Sequence, residues 1–118
     1  MTTYVDGFVA AVPIENKQKY LEHVKRVSKV FKEYGAVEYV ECWGDDLPKG
    51  QKTSMSLAVQ AKSDETVVFS WVVWQSKAQR VENMPKLMQD PRVKREFELM
   101  PFDSSRLIYG GFETLVRM

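Results

Sequence analysis

Residues 66–75, Thr-Val-Val-Phe-Ser-Trp-Val-Val-Trp-Gln, are almost all β-branched or aromatic and contain neither Gly nor Pro. Such a run fits a pleated strand in both composition and length. Both parities are apolar: Val67, Phe69, Trp71 and Val73 on one side, Val68, Val72 and Trp74 on the other. A strand that is apolar on both sides needs cover on both. The chain's own helices can supply one cover, and a second copy of the chain the other. The run therefore predicts a mid-sheet strand in a homodimer that meets through an open sheet face.

The rest of the chain supplies the other elements in order. Thr3 to Pro13 reads as a first strand, with Tyr4, Asp6, Phe8, Ala10 and Val12 on one face and Val5, Gly7, Val9 and Ala11 on the other. Asn16 stands at an N-cap, and Tyr20, Val24, Val27, Phe31 and Tyr34 make one helical stripe over 17–34. Gly35 follows where a left-handed residue closes a helix. Ala36 to Trp43 reads as a second strand, with Tyr39, Glu41 and Trp43 sharing a face. Residues 44–53 are turn chemistry, and Ser54 to Gln60 reads as an extension of a hairpin. Ser76-Lys77-Ala78-Gln79 is a capping box opening a second helix, which Pro85 should kink or split. Asp90-Pro91 starts a further short helix that stops by Pro101. Residues 106–117 make the last strand, where Gly110-Gly111 predicts a bulge or a close backbone approach.

The resulting order is β-α-β-β-α-β over residues 1–118, read as one domain. Right-handed crossovers put both helices on one face of a four-stranded antiparallel sheet. The expected class is α+β, a ferredoxin-like plait. A domain of 118 residues buries only about two-thirds of its unfolded surface, which favours association.

Charge and composition exclude several roles. The net charge is +1, from 17 basic and 16 acidic residues, so no nucleic-acid or anionic-membrane partner is expected. No apolar run approaches the roughly 18 residues of a membrane span. The first residues lack a signal peptide's basic and apolar regions. Cys42 is the only cysteine, so no intrachain disulfide can form and a cytoplasmic setting is expected.

Several runs together resemble a known family: Tyr4-Val5-Asp6-Gly7-Phe8, Glu38-Tyr39-Val40-Glu41-Cys42, Val67-Val68-Phe69-Ser70-Trp71, Met100-Pro101-Phe102-Asp103 and Ile108-Tyr109-Gly110-Gly111-Phe112. The chain is similar over nearly its whole length to the YbaA-like family of small bacterial proteins of unknown function, within the dimeric α/β-barrel superfamily. The resemblance implies a ferredoxin-like protomer and a dimer packed sheet on sheet. It implies no activity.

The strand parities sort the candidate site residues. Val5, Val9, Ala11, Val40, Cys42, Val68 and Val72 form an aliphatic set suited to a face under helices. Tyr4, Asp6, Phe8, Tyr39, Glu41, Trp43, Phe69, Trp71 and Tyr109 form a set that mixes aromatics with carboxylates. In the superfamily's arrangement this second set lines a chamber between protomers. An apolar cavity with a few polar groups is the usual profile of a small-molecule site. Tyr4, Asp6, Tyr39, Glu41, Trp71 and Tyr109 are its candidate ligand-binding residues. Asp6 and Glu41 are the candidate catalytic carboxylates, since desolvation raises a carboxyl pKa toward the range of a general acid or base.

Three readings compete: a ligand-binding protein, a cofactor-free oxygenase or isomerase, and an interaction module whose aromatics fill the interface. In the structural alternative Asp6 pairs with an arginine such as Arg106. His23, the sole histidine, reads as a solvated helix residue and excludes a multi-histidine metal site. Cys42 reads as a buried structural thiol, and Asp45-Asp46 as a solvated turn. No nucleotide, serine-hydrolase or zinc motif is present. Neither cofactor nor metal is expected.

Overall fold

The computed structural model describes residues 2–118. Strand β1 runs Tyr4–Pro13, helix α1 Lys17–Glu33, β2 Glu38–Trp43, α2 Met55–Ala58, β3 Glu65–Trp74, α3 Lys77–Gln89, α4 Pro91–Glu98 and β4 Ile108–Glu113. The four strands pair antiparallel in the order β2-β3-β1-β4. This is a ferredoxin-like plait in the α+β class. β3, the doubly apolar run, lies between β1 and β2 as its composition requires.

The stripe of α1 builds the core. Tyr20, Val24, Val27, Val30 and Phe31 are buried against Ala10, Val12, Val68, Val72 and Trp74 of the central strands. Leu87 of α3 and Val93 of α4 complete this layer, each with no exposed surface. Gly35 closes α1 at φ +102°, a left-handed conformation that any larger side chain would strain.

Local chemistry explains where the elements differ from the sequence reading. Ser54 to Gln60 does not extend a hairpin. The Ser54 hydroxyl accepts from the Leu57 N–H and caps the single turn α2. Val59, just beyond it, is 1% exposed and packs on Ala11 and Val67, covering one end of the sheet's other face. Asn16 occupies the N-cap position without capping α1. Its amide Nδ2 donates instead to the Pro101 carbonyl at 2.9 Å and pins the connection before β4. Helix α3 runs through Pro85 unbroken, and the chain turns out of it at Asp90, whose side chain caps α4. The β1–β4 register is continuous across Gly110 and Gly111, so there is no bulge. The close approach is real, because a Cβ on Gly111 would collide with the Tyr4 ring.

The expected assignment of faces is reversed for β1 and β2 but holds for β3, where Val68 and Val72 lie under the helices and Phe69 and Trp71 on the open face. Asp6 and Tyr39 stand opposite Val72, and Glu41 opposite Ser70. Tyr4, Asp6, Phe8, Tyr39, Glu41 and Trp43 therefore share the face covered by helices with Val68, Ser70, Val72 and Trp74. Val5, Val9, Val40, Cys42, Phe69 and Trp71 share the open face with Ile108 and Phe112 of β4. Cys42 is exposed rather than buried. The physical reason is partner supply. A carboxylate can sit under helices where those helices bring arginine and tyrosine to it, whereas aliphatic residues need no such partners.

Candidate functional site

The six expected site residues fall into four places. Asp6 and Tyr4 sit together at one end of the helix-covered face. Asp6 is 2% exposed and accepts from Trp74 Nε1 at 2.9 Å, Arg80 Nη2 at 2.9 Å and Arg80 Nε at 3.2 Å. The Arg80 guanidinium also lies 5.9 Å from the centre of the Tyr4 ring. Both Asp6 oxygens are engaged, through three hydrogen bonds in all, and its arginine is Arg80 rather than Arg106. Arg106 instead makes a bidentate pair with Glu65, at 2.7 Å for both bonds. Trp71 lies on the opposite, open face beside Phe69. Tyr109 stacks on Phe8 at the sheet edge but stays largely exposed.

Tyr39 and Glu41 stay together, and they define the site. Alternation along β2 aims both at α1. Glu41 Oε1 accepts from the Tyr20 hydroxyl at 2.6 Å, and Oε2 from the Tyr39 hydroxyl at 2.7 Å. Burial pushes the Glu41 carboxyl above its ordinary range, and the bonds from Tyr20, Tyr39 and Ser70 only partly oppose this. Burial, reinforced by the glutamate's charge, also pushes both phenols up, so they remain hydrogen-bond donors.

These groups line a pocket of about 90 Å³ between α1 and the sheet. Its walls are Phe8, Ala10, Val24, Val27, Phe31 and Val68, with Phe97, Met100, Phe102 and Leu107 at the rim. No lysine or arginine lines it among the described residues. Liquid water occupies about 30 Å³ per molecule, so the space equals about three waters and suits a short chain or one end of a larger molecule that extends past the rim. An open polar cleft of about 690 Å³ adjoins it and shares His23, Met100 and Phe102.

His23 is not solvated. It is 5% exposed, on the buried stripe of α1 three residues after Tyr20. Its Nδ1 lies 3.0 Å from Glu96 Oε1, and Arg26 donates to both oxygens of Glu96 at 2.7 and 3.0 Å. Those arginine bonds, ahead of the one from His23, hold the Glu96 carboxyl below its ordinary range. An ionised carboxylate only accepts, so Nδ1 carries the hydrogen and Nε2 keeps a lone pair. Burial also pushes the imidazole down, which keeps it neutral near pH 7. The signal in the sequence was position: His23 and Val27 repeat the 3-4 spacing from Tyr20, and Glu96 follows Val93 by three on α4.

The sequence profile of the family described as "Protein of unknown function (DUF1428)" matches residues 3–104. The chain belongs to the DUF1428 family. The matched span includes Tyr20, His23, Tyr39, Glu41 and Glu96, and ends before Leu107 and Tyr109. Among this DUF1428 chain's relatives is the "Uncharacterized protein YbaA" of Escherichia coli strain K12, 49% identical over 113 residues, covering 96% of this chain and 97% of the relative. The protein of the same name from Shigella flexneri matches equally. Solved structures share the fold. A dimeric ferredoxin-like protein from an uncultured marine organism superposes with TM-score 0.59 at 12% identity, covering 100% of this chain and 98% of the other. A nipsnap family protein of unknown function from Agrobacterium tumefaciens gives 0.59 at 12%, covering 96% and 88%. At such identities the likeness carries the fold alone. No helix among the described residues is long and apolar enough to cross a membrane.

Proposed function

We propose that this DUF1428 protein binds a small, mostly apolar molecule in the pocket between α1 and the sheet, with Glu41 as the polar anchor. One observation carries the reading: a half-buried carboxylate, held by two tyrosine hydroxyls, sits with His23 and Ser70 in an otherwise aromatic and aliphatic wall. A packed core has no need of such a group, because burying it costs free energy that an apolar residue of the same size avoids. Tyr20 and Tyr39 each engage one Glu41 oxygen and Ser70 bonds the carboxyl as well, which leaves capacity for about one more donor. The adjoining cleft supplies the approach, through the rim formed by His23, Met100 and Phe102.

The test is a thermal-shift screen of the purified protein against small metabolites, since a ligand of the native state raises the melting point. Hits whose effect disappears in Glu41→Leu, with the circular dichroism unchanged, support the pocket. A screen without hits, or hits indifferent to Glu41→Leu, removes it.

The same proposal includes a homodimer through the open sheet face. Phe69 and Ile108 are each 45% exposed there, and Phe112 is 61% exposed. Contiguous apolar surface of this kind marks an interaction face, and the marine protein of the same fold is described as dimeric. Sedimentation at micromolar concentration should give twice the chain mass, and a stable monomer would remove the dimer while leaving the pocket, which lies within one chain.

A further inference from the structure

The carboxylates enclosed in this fold have a common habit, with one exception. Asp6 is paired with Arg80, Glu96 with Arg26 and Glu65 with Arg106, each through two arginine hydrogen bonds. Asp90, at the start of α4, is paired with Arg92. Glu41 has no cation. Its partners are neutral hydroxyls, and no lysine or arginine reaches the pocket wall among the described residues. Even partial burial of a carboxylate without a counter-charge is costly, and the remedy used at the other four sites is absent here.

The walls around Glu41 are chemically suited to a positive charge. Tyr20, Phe31, Tyr39 and Phe102 present aromatic rings, with Phe31 and Tyr39 at 5.3 Å and Tyr20 and Phe102 at 5.8 Å between centres. Aromatic faces attract organic cations, most strongly where water is excluded. The second polar group on the wall is also an acceptor. Glu96 engages His23 Nδ1, and among the described residues none bonds to Nε2 and no buried side-chain nitrogen lacks a partner. Nε2 is therefore open to the space that His23 lines, with its lone pair available to an N–H donor.

We infer that the ligand of this pocket is a small organic cation, an amine protonated on binding, whose ammonium group pairs with Glu41, donates to His23 Nε2 and lies against the aromatic rings. This inference rests on the pocket proposed above and names its ligand class. It also gives the hydroxyls a role: Tyr20, Tyr39 and Ser70 fix the carboxylate's orientation in advance and leave a position for the ammonium. Carboxylates and phosphates are excluded, since they would meet Glu41 with like charge and find no cation.

The experiment compares three probes of nearly one shape, benzylamine, benzyl alcohol and benzoate, by calorimetric titration of the wild-type protein and of Glu41→Gln. Wild type should favour benzylamine over benzyl alcohol by about tenfold or more, as expected for a charge-assisted contact, and should not bind benzoate. Glu41→Gln, which keeps an acceptor for one tyrosine, should bring the ratio to about one. In the wild-type protein, saturating benzylamine should lower the pH midpoint of the Glu41 carboxyl carbon titration, because a cation favours the ionised carboxyl, a readout that needs no variant. Equal binding of amine and alcohol, tighter binding of benzoate, an unchanged ratio in Glu41→Gln or an unmoved Glu41 midpoint would each overturn the amine assignment and leave the pocket standing. Failure of all three probes to bind would remove the amine assignment, and an empty metabolite screen alongside it would remove the pocket as well.

Discussion

Replacing Arg80 tests whether Asp6 is a structural charge rather than a reactive one. Asp6 is 2% exposed and takes two of its three hydrogen bonds from Arg80. Arg80→Ala leaves one neutral donor, Trp74 Nε1, against a buried negative charge. Removing one member of a buried pair costs about 3–5 kcal/mol. The Arg80 side chain is 30% exposed, so water can enter the gap it leaves, which lowers the expected cost to about 2–3 kcal/mol. For a chain of 118 residues this corresponds to a fall in Tm of about 6–15 °C. The double variant Asp6→Leu with Arg80→Met removes both charges and orphans only the Trp74 N–H, so it should lose about 1 kcal/mol. Urea midpoints for the two singles and the double give the coupling energy directly. A Tm change below about 2 °C in Arg80→Ala, or a double variant worse than the single, would refute the account of Asp6.

Three further outcomes follow from the same geometry. Tyr39→Phe removes one of the bonds that hold the Glu41 carboxyl down, so its pKa should rise further above its already raised position, read by carboxyl carbon NMR titration. Arg106 holds Glu65 at about 2 against an ordinary 4.5. The native state therefore keeps Glu65 ionised where the unfolded chain takes up a proton, and the stability from this pair is complete above pH 4.5 and lost as pH falls toward 2. Glu65→Gln should flatten that part of the acid unfolding curve. Phe112→Glu places a charge on the open sheet face and should convert the proposed dimer to a folded monomer in sedimentation, with benzylamine binding retained.

Periodicity made the elements legible, and chemistry misassigned the faces of β1 and β2 while placing those of β3 correctly. The doubly apolar run at 66–75 placed β3 centrally, and the stripe from Tyr20 to Phe31 located α1, because both depend on local spacing alone. Which side of β1 and β2 meets the helices depends on register and on partners far along the chain. Asp6 is satisfied by Arg80, 74 positions away, and Glu41 by Tyr20, 21 positions away. Sorting strand residues by polarity puts such carboxylates on the wrong face, since a buried charge with partners reads in sequence like an exposed one. His23 was missed for the same reason, its partner Glu96 lying 73 positions on. Tyr39 and Glu41 were nonetheless found together, because a spacing of two on a strand fixes a shared face whichever way that face points. The short turn α2 escaped notice because four residues carry little periodicity, and only the Ser54 cap announces it.

The most direct test of the internal pocket is a benzylamine titration followed by amide and aromatic NMR. Shifts confined to Tyr20, His23, Tyr39, Glu41, Ser70 and Phe97 would place the ligand between α1 and the sheet, as the account predicts. Shifts confined instead to Val5, Phe69, Trp71 and Phe112 would put the ligand on the open face and contradict it.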